Sequence, residues 1–432
     1  MADPDRPNVL VFLTDQQRFD STGVHGNPLG LTPNLDRLAA TGTHFSHAFT
    51  PQPVCAPARA ALQTGQYQNR TGVYRNGCVL PPGIPTLAHH FGAAGYRTGY
   101  VGKWHLAGTD DQPVPPELRG GYEHWLGADV VEFISSPFEA RLYDTDGADV
   151  RLPGYRADAY VDAAIDYLSR PRADPFLLFV SLIEPHHHNP DDDYPAPQGY
   201  AERYAGRWTP GDLAALGGTT EEHLPGYWGM VRRVDEAFGR LLDALQAHGL
   251  RDDTVVAFTS DHGCHFKTRN REYKRSAHDA SIRVPLVLDG PGLRGGGRRD
   301  DLVSLIDLPP TLLDAAGLPA PDAMQGVSLL RERDRDAVFV QISESHVGRA
   351  IRTRRWKYSV RAPHADGRAD PGAPEYVEDL LYDLDADPYE LTNLAGRPSH
   401  TEVAAHLRRQ LTASMLAAGE PVPVIRAAGR EG

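Results

Sequence analysis

Pro53-Val54-Cys55-Ala56-Pro57-Ala58-Arg59 is the stretch around which this 432-residue chain is best interpreted. The residues up to Cys55 end a loop, and the run from Ala58 to Gln63, followed by Gly65, predicts a short helix closed by a C-terminal glycine. Cys55 then lies at a helix N-terminus, where free backbone N–H groups and the helix dipole favour an anion. This placement indicates a functional cysteine rather than a small buried thiol beside a turn proline.

Two apolar stretches predict buried parallel strands, and polar side chains follow each of them. The strands are Asn8 to Leu13, followed by Asp15 and Gln16, and Thr254 to Thr259, followed by Asp261 and His262. An Asp after a single strand is usually a helix or turn cap. Because α/β sheets bind ligands at the carboxyl ends of their strands, the two pairs are interpreted together with Cys55 as one site of oxygen and nitrogen donors.

The pattern Cys55-x-Pro57-x-Arg59 resembles the modification motif of the formylglycine-dependent sulfatases, the type I sulfatases of the alkaline-phosphatase-like superfamily. In that family a formylglycine-generating enzyme oxidises the thiol to an aldehyde, and the hydrate of the aldehyde is the nucleophile. The resemblance implies that Cys55 is converted to formylglycine during maturation. It also implies that Arg59, one helical turn away, steadies the formylglycine hydroxyl.

The polar strand ends resemble the split metal site of the same family, which implies that Asp15, Gln16, Asp261 and His262 hold a divalent cation. Oxygen-rich ligation favours Ca²⁺, and the Gln and His leave Mn²⁺ or Mg²⁺ open. The family often has a second aspartate at the position of Gln16 and an asparagine at the position of His262. The Gln and His versions also occur, notably in phosphonate monoester hydrolases and choline-sulfatase-like members.

Lysine usage indicates two further site residues. Only four of the 44 basic residues are lysines, so a lysine in this chain marks a place that needs a compact point charge. Gly102-Lys103-Trp104-His105 resembles the family segment whose Lys and His contact the sulfate and the formylglycine. Lys274 stands thirteen residues after Asp261, the family's offset for its second sulfate-binding lysine. The resemblance implies that both lysines neutralise charge on the sulfuryl oxygens.

A third polar strand end adds a histidine. Phe176 to Leu182 predicts a buried strand, and Pro185-His186 beyond it resembles the family's Pro-His-x-Pro segment. The resemblance implies that His186 protonates the leaving alcohol, and that His105 or Asp261 takes a proton from the remaining hydroxyl. His187 and His188 follow, but adjacent side chains rarely point to one centre, so they are expected to be pocket or surface residues.

One segment departs from the family pattern. Lys267-Thr268-Arg269 stands where many members carry a Gly-x-His. Positive charge beside the site suggests a substrate with extra negative charge, and a solvated loop is an equally open interpretation.

Three functions remain open at this stage. The first is a sulfuric ester hydrolase that removes sulfate from an alcohol or sugar. The second is a phosphonate monoester or phosphodiester hydrolase of the same superfamily, slightly favoured by Gln16 and His262. The third, a non-catalytic sulfated-glycan binding protein, is disfavoured because no expected catalytic position is missing. The loops that select the alcohol cannot be interpreted from the sequence.

Apolar strands alternate with helical patterns, which predicts an α/β fold. The resemblance implies an α/β/α sandwich with a mostly parallel central sheet and a smaller C-terminal antiparallel-sheet subdomain. The predicted domains are a catalytic domain over residues 1–345 and a C-terminal subdomain over 346–432. Further predictions are a last main-sheet strand over 338–342, an antiparallel ribbon over 349–360, a closing helix over 402–416 and a loose tail from Ala418.

Composition narrows the class of protein. The net charge of −13 argues against a nucleic-acid partner. No apolar run approaches the roughly 18 residues of a membrane helix, so no membrane partner is expected. The start, Met1 to Arg6, is acidic and polar, which is unlike a signal peptide. Three cysteines argue against a disulfide scaffold, and the chain is expected to be cytoplasmic.

Overall fold

The structure is a computed structural model that describes residues 6–331 and 335–428. Within these residues the strands are β1 (Asn8–Thr14), β2 (Thr43–Phe49), β3 (Arg97–Lys103), β4 (His124–Ala128), β5 (Ala140–Tyr143), β6 (Asp149–Leu152), β7 (Phe176–Ser181), β8 (Thr254–Ser260), β9 (Arg283–Val284), β10 (Leu286–Asp289), β11 (Gly297–Ser304), β12 (Val338–Ile342), β13 (Gly348–Arg352), β14 (Trp356–Arg361), β15 (Glu375–Asp383) and β16 (Val424–Arg426).

The α-helices are α1 (Pro33–Thr41), α2 (Cys55–Thr64), α3 (Gln68–Thr71), α4 (Leu87–Ala93), α5 (Val131–Ile134), α6 (Arg156–Ser169), α7 (Tyr200–Tyr204), α8 (Gly211–Leu216), α9 (Thr220–Ala247), α10 (Asp279–Ile282), α11 (Leu308–Ala315) and α12 (Thr401–Ala417). Short 3-10 helices lie at Phe19–Ser21, Gly23–His25, Pro116–Leu118, Leu305–Asp307 and Pro398–His400.

The larger sheet has the predicted apolar strands at its centre. Its order is β11-β2-β10-β8-β1-β7-β3-β4-β5-β6, and β9 pairs with β2. β1 pairs in parallel with β7 and β8, and β3 pairs in parallel with β7 and β4, whereas β10 and β5 run antiparallel to their neighbours. The predicted mostly parallel sheet is confirmed, and the carboxyl ends of β8, β1, β7, β3 and β4 lie at one edge.

Helices cover both faces of this sheet because its central strands are apolar on both faces. In β1, Val9, Val11 and Leu13 belong to a core that also contains residues of α2, α4 and α11. Leu10 and Phe12 belong to the opposite core, with residues of α1, α6 and α9. The alternation of side chains along one strand thus builds the predicted α/β/α sandwich.

The C-terminal sheet has the order β12-β13-β14-β15-β16. Its pairs are antiparallel except for β15 with β16, which is parallel. Helix α12 packs on it through Leu407, Leu411 and Met415. The predicted ribbon over 349–360 and the closing helix over 402–416 are confirmed.

The placement of residues 338–342 in the main sheet is wrong. This segment is β12, and it pairs along its whole length with β13 of the small sheet. All five of its residues are buried, because Phe339 packs inside the small domain while Val338, Val340 and Ile342 pack against Phe49 of the main body. Burial on both faces produces an apolar run of the kind that is typical of a central parallel strand.

The expectation of a loose tail from Ala418 is also wrong for residues 418–428, because Val424–Arg426 forms β16, and residues 429–432 of this predicted tail lie outside the described residues. The predicted boundary between residues 1–345 and 346–432 falls in the turn between β12 and β13, and this division stays a prediction. Of the helices within the described ranges, none is long and apolar enough to cross a membrane.

Candidate active site

The predicted site residues meet at the carboxyl edge of the main sheet. Asp15 follows β1, Asp261 follows β8, Lys103 ends β3, and His186 lies beyond the end of β7. These strands are consecutive neighbours in the order β8-β1-β7-β3, so their ends converge. Asp15, Asp261 and Lys103 are fully buried, at 0% exposure each. Charged groups that are buried away from solvent are stable only when they pair with one another, and these three side chains form a charged cluster.

Cys55 is the first residue of α2 and lies at the centre of this cluster. Its Sγ atom is 2.9 Å from Lys274 Nζ, 3.3 Å from His262 Nε2 and 3.7 Å from Asp15 Oδ1. The predicted helix is confirmed, and it ends at Gly65, whose left-handed backbone (φ 68°) donates its N–H to Ala61 O. The sequence of this helix thus fixes where the sulfur atom stands.

The surroundings of Cys55 favour negative charge. Burial alone would raise the pKa of its thiol, but the ammonium groups of Lys103 and Lys274, with His262, hold that pKa well below its usual range. A hydrogen bond from the His105 side chain acts in the same direction. An electron-rich nucleophile, or the anion that it attacks, is therefore stabilised at this place.

Three of the four predicted metal ligands, Asp15, Asp261 and His262, converge beside Cys55. One ligand atom each of Asp15, Asp261, His262 and Cys55 lies within 4.8 Å of all the others. Gln16 joins them through its backbone N–H, which donates to Asp261 Oδ1 at 3.1 Å. Its side-chain Oε1 is buried and has no hydrogen-bond partner in the part of the chain that the structure describes. Carboxylate and amide oxygens with one imidazole are a donor set that suits a divalent cation.

The two carboxylates of this group are not equivalent. Burial and the neighbouring Asp15 carboxylate raise the pKa of Asp261. Burial would also raise the pKa of Asp15, but Lys103, His186 and Lys274 lower it below its usual range. Two buried carboxylates so close together repel each other, and a bound cation would relieve that repulsion.

Arg59 binds both carboxylates that are predicted to be metal ligands. Its Nη2 atom is 3.0 Å from Asp15 Oδ2 and 3.1 Å from Asp261 Oδ2. Its Nη1 atom donates to Lys103 O at 2.8 Å and to Ser181 Oγ at 2.7 Å. These bonds hold the ends of four adjacent strands in one arrangement. The predicted contact of Arg59 with the modified Cys55 stays a prediction.

The two predicted lysines approach Cys55 from different directions. Lys103 Nζ is 2.7 Å from Asp15 Oδ2, 2.5 Å from Glu132 Oε1 and 3.8 Å from Cys55 Sγ. Burial would lower the pKa of Lys103, but Asp15, Cys55 and Glu132 raise it above its usual value. Lys274 Nζ is 2.9 Å from Cys55 Sγ and makes no ion pair with a carboxylate in the described part of the chain.

His186 and His105 also lie in the site. His186 Nε2 is 3.2 Å from Lys274 Nζ, and its Nδ1 is 2.7 Å from the His187 carbonyl oxygen. His105 has a left-handed backbone (φ 60°), and its Nδ1 is buried and lacks a hydrogen-bond partner among the described residues. Its backbone N–H donates to Asp129 O at 2.9 Å, which fixes the unusual turn that aims the ring at Cys55.

Neighbouring polar residues have other partners. The His187 ring stacks between His186 and Tyr273, each at 4.3 Å between centroids, while His188 Nδ1 binds Asp191. His186 and His187 thus lie side by side, and His187 Nδ1 is 3.4 Å from Gln16 Nε2, whereas His188 points to the exposed Asp191. Lys267 pairs with Asp192, and Arg269 donates to the carbonyl oxygens of residues 389 and 390. These basic side chains hold surface segments together around the site.

Two participants were not predicted from the sequence. Glu132, on α5, contacts Lys103, and Tyr194 accepts a hydrogen bond from Gln16 Nε2 at 2.9 Å. Burial would raise the pKa of Glu132, but Lys103, His186 and His105 lower it to about 2. Neither residue follows a strand directly or belongs to a motif, so no pattern in the sequence identifies them.

Comparison with protein families matches residues 7–318 to the model of the sulfatases. Residues 271–416 match the model described as N-sulphoglucosamine sulphohydrolase, C-terminal. An ulvan-active sulfatase from Formosa agariphila is 32% identical over 97% of this chain and 83% of its own length.

Solved structures resemble the whole chain. The structure of yidJ from Bacteroides fragilis, a protein assigned as a sulfatase, is 25% identical and has a TM-score of 0.83. The similarity covers 98% of each chain. The phosphonate monoester hydrolase of Agrobacterium radiobacter has a TM-score of 0.75 and 25% identity, over 96% of both chains. Sequence and structure comparisons therefore agree over almost the full length.

Proposed function

Because this chain belongs to the sulfatase family and is a sulfuric ester hydrolase, we propose that it removes sulfate from an alcohol or a sugar through a formylglycine at Cys55 and a bound divalent cation. The observation that carries the proposal is the position of Cys55. Its Sγ atom lies 2.9 Å from one buried lysine ammonium and 3.8 Å from another, beside the converging donors of Asp15, Asp261 and His262.

Two groups would complete this site. Asp15, Gln16, Asp261 and His262 would hold the cation, Ca²⁺ being favoured by the oxygen donors, and the unpartnered Gln16 Oε1 fits that role. When bound, the cation supplies a Lewis acid that polarises a sulfuryl oxygen, and the formylglycine hydrate supplies an oxygen nucleophile and a second hydroxyl from which the aldehyde reforms.

The protein's own side chains stabilise charge and move protons. Lys103 and Lys274 place two positive charges beside Cys55, where the sulfuryl oxygens gain charge in the transition state. His186 donates a proton to the leaving alcohol oxygen as the S–O bond breaks. His105, which lies beside Cys55, accepts the proton of the remaining hydroxyl when sulfate leaves. Arg59 keeps Asp15 and Asp261 in place throughout.

The test uses protein that is co-produced with a formylglycine-generating enzyme. Peptide mass spectrometry across residues 51–63 should show an aldehyde at Cys55, and turnover of aryl and saccharide sulfates should rise with the aldehyde fraction. Cys55→Ala, which cannot be modified, should be inactive. An unmodified peptide from a fully active preparation would refute the aldehyde mechanism.

A further inference from the structure

Glu132 lies inside the site but has no part in the chemistry described above. It stands on α5, four residues after the end of β4 and at the same sheet edge as Lys103. Its side chain is only 6% exposed, and its Oε1 is 2.5 Å from Lys103 Nζ. Its Oε2 is buried and has no hydrogen-bond partner among residues 6–331 and 335–428. A fully ionised carboxylate is thus held beside the place where an anionic group must bind.

The contacts of Lys103 show how close a bound sulfuryl group would lie to the Glu132 carboxylate. An ammonium has three N–H donors, and Asp15 and Glu132 take two of them at 2.7 and 2.5 Å. The third contact of Lys103 is Cys55 Sγ at 3.8 Å. A sulfuryl oxygen bound there shares the ammonium with Glu132, and two groups on one ammonium lie roughly 4–6 Å apart.

Glu132 also changes the charge balance of the site. Among the described residues, three cationic side chains and three carboxylates form the charged cluster around Cys55. The cations are Arg59, Lys103 and Lys274, and the carboxylates are Asp15, Asp261 and Glu132. Asp15 and Asp261 are needed as ligands for the cation, whose own charge is the same for every substrate. Glu132 is therefore the carboxylate that removes positive charge from the site while its side chain, within the described ranges, binds Lys103 alone.

We propose that Glu132 is a specificity-determining residue that restricts the site to groups with one negative charge and rejects dianions. The inference rests on the proposed function. A sulfate monoester carries one negative charge at neutral pH, whereas a phosphate monoester carries close to two. At a separation of about 5 Å and an effective dielectric constant of about 20, one additional charge corresponds to at least a tenfold effect. The same repulsion speeds release of inorganic sulfate, which leaves as a dianion.

The first experiment compares two substrates with the same leaving group, 4-nitrophenyl sulfate and 4-nitrophenyl phosphate. Glu132→Gln keeps the size of the side chain and removes its charge. Glu139→Gln is the matched control, because Glu139 is exposed and lies only seven residues further along the chain. We expect the ratio of kcat/KM for phosphate to that for sulfate to rise at least about tenfold in Glu132→Gln and to stay unchanged in Glu139→Gln.

A third substrate separates the effect of the charge of the transferred group from the effect of its central atom, sulfur or phosphorus. A 4-nitrophenyl phosphonate monoester contains phosphorus but carries one negative charge, so its kcat/KM in Glu132→Gln should change by the same factor as that of the sulfate. If Glu132→Gln changes all three substrates equally, Glu132 serves only to position Lys103 and the proposal fails. It also fails if the phosphonate ester follows the phosphate ester.

A binding measurement distinguishes failure of this proposal from failure of the proposed function. Calorimetry with inorganic sulfate, a dianion, and methyl sulfate, a monoanion, requires no turnover. Glu132→Gln should tighten binding of inorganic sulfate at least about tenfold more than binding of methyl sulfate. A wild-type protein that cleaves no sulfate ester would refute the proposed function and leave this readout intact. Equal changes for both anions, in protein with a normal thermal melt, would overturn the role of Glu132.

Discussion

At the scale of single residues, the site contains two lysine ammonium groups, those of Lys103 and Lys274, which have different partners. Lys103 is clamped by carboxylates, whereas Lys274 contacts Cys55 Sγ, His262 Nε2 and His186 Nε2 at 2.9, 3.0 and 3.2 Å. A flat guanidinium is wider than an ammonium and cannot occupy either position. We predict that Lys103→Arg and Lys274→Arg each lose about 3 kcal/mol of transition-state stabilisation, so kcat falls roughly a hundredfold or more.

The matched control for these variants is Lys267→Arg. Lys267 is partly exposed and pairs with Asp192 away from Cys55, so an arginine should support near wild-type turnover. Turnover of the best sulfate ester is measured for all three variants, with thermal melting as a check of folding. Wild-type rates in both Lys103→Arg and Lys274→Arg would show that neither lysine contacts the transferred group.

A second residue-scale prediction concerns the metal. Asp15→Ala and Asp261→Ala each remove one of the two carboxylates that converge with His262 and Cys55. We expect both variants to lose the bound divalent cation and to fall below a hundredth of wild-type activity. Elemental analysis of purified proteins measures the cation directly. Asp243→Ala, an exposed position on α9, is the control. Full metal occupancy in either site variant would contradict the assignment.

The site could be predicted from the sequence wherever a residue follows a strand or belongs to a motif. Asp15, Asp261 and Lys103 converge because parallel strands end at one edge, and Cys55 is located by the helix that starts with it. Glu132 could not be found, because its four-residue helix has no periodicity and its role depends on the neighbouring strand. Side chains that act through tertiary contact alone leave no local pattern.

At the scale of elements, the turn between β12 and β13 joins the small sheet to segments on both sides of Cys55. Glu344 in this turn accepts the Asn76 N–H at 2.7 Å and binds the Arg275 Nε at 2.6 Å. Asn76 Oδ1 in turn accepts the N–H of Ala56 on α2, and Arg275 is adjacent to Lys274. One carboxylate therefore links the first turn of α2 to the segment that carries Lys274.

We predict that Glu344→Gln lowers kcat about tenfold and changes KM little, because the weakened bond to Arg275 lets Lys274 move relative to Cys55. Glu375→Gln is the control, since Glu375 makes an exposed ion pair with Arg426 at the far end of the same sheet. Steady-state kinetics and thermal melts are compared for both variants. If Glu344→Gln keeps the wild-type kcat, the turn does not position Lys274.

The sequence predicts the correct sheet for strands that are buried between the helices on the two faces of the main sheet. Strands β1, β7 and β8 are apolar because helices cover both faces of the main sheet, and the sequence interpretation is confirmed there. β12 is equally apolar for a different reason, since the small sheet packs against the main body around Phe49. Local sequence reports how deeply a strand is buried and not which sheet it joins.

At the scale of the whole molecule, buried neutral histidines make stability depend on pH. Burial lowers the pKa of His25 to about 3 and that of His265 to about 4. Their unfolded value is about 6.5, so the unfolded chain binds more protons than the folded one between these limits. The stability that these groups contribute is fully present above about pH 6.5 and is lost as pH falls towards their folded values. The melting temperature should therefore decrease from pH 7 to pH 4.5.

The histidine contribution can be isolated at His25, whose ring bridges Thr22 Oγ1 and the Phe45 carbonyl oxygen away from the active site. His25→Gln loses part of this bridge but cannot be protonated. We predict that this variant melts below wild type at pH 7.5, and that the difference shrinks steadily down to pH 4.5. His248→Gln, at an exposed helix end, should follow the wild-type curve at every pH. A His25→Gln difference that stays constant with pH would show that His25 binds a proton equally well in the folded and unfolded chains, which its burial argues against.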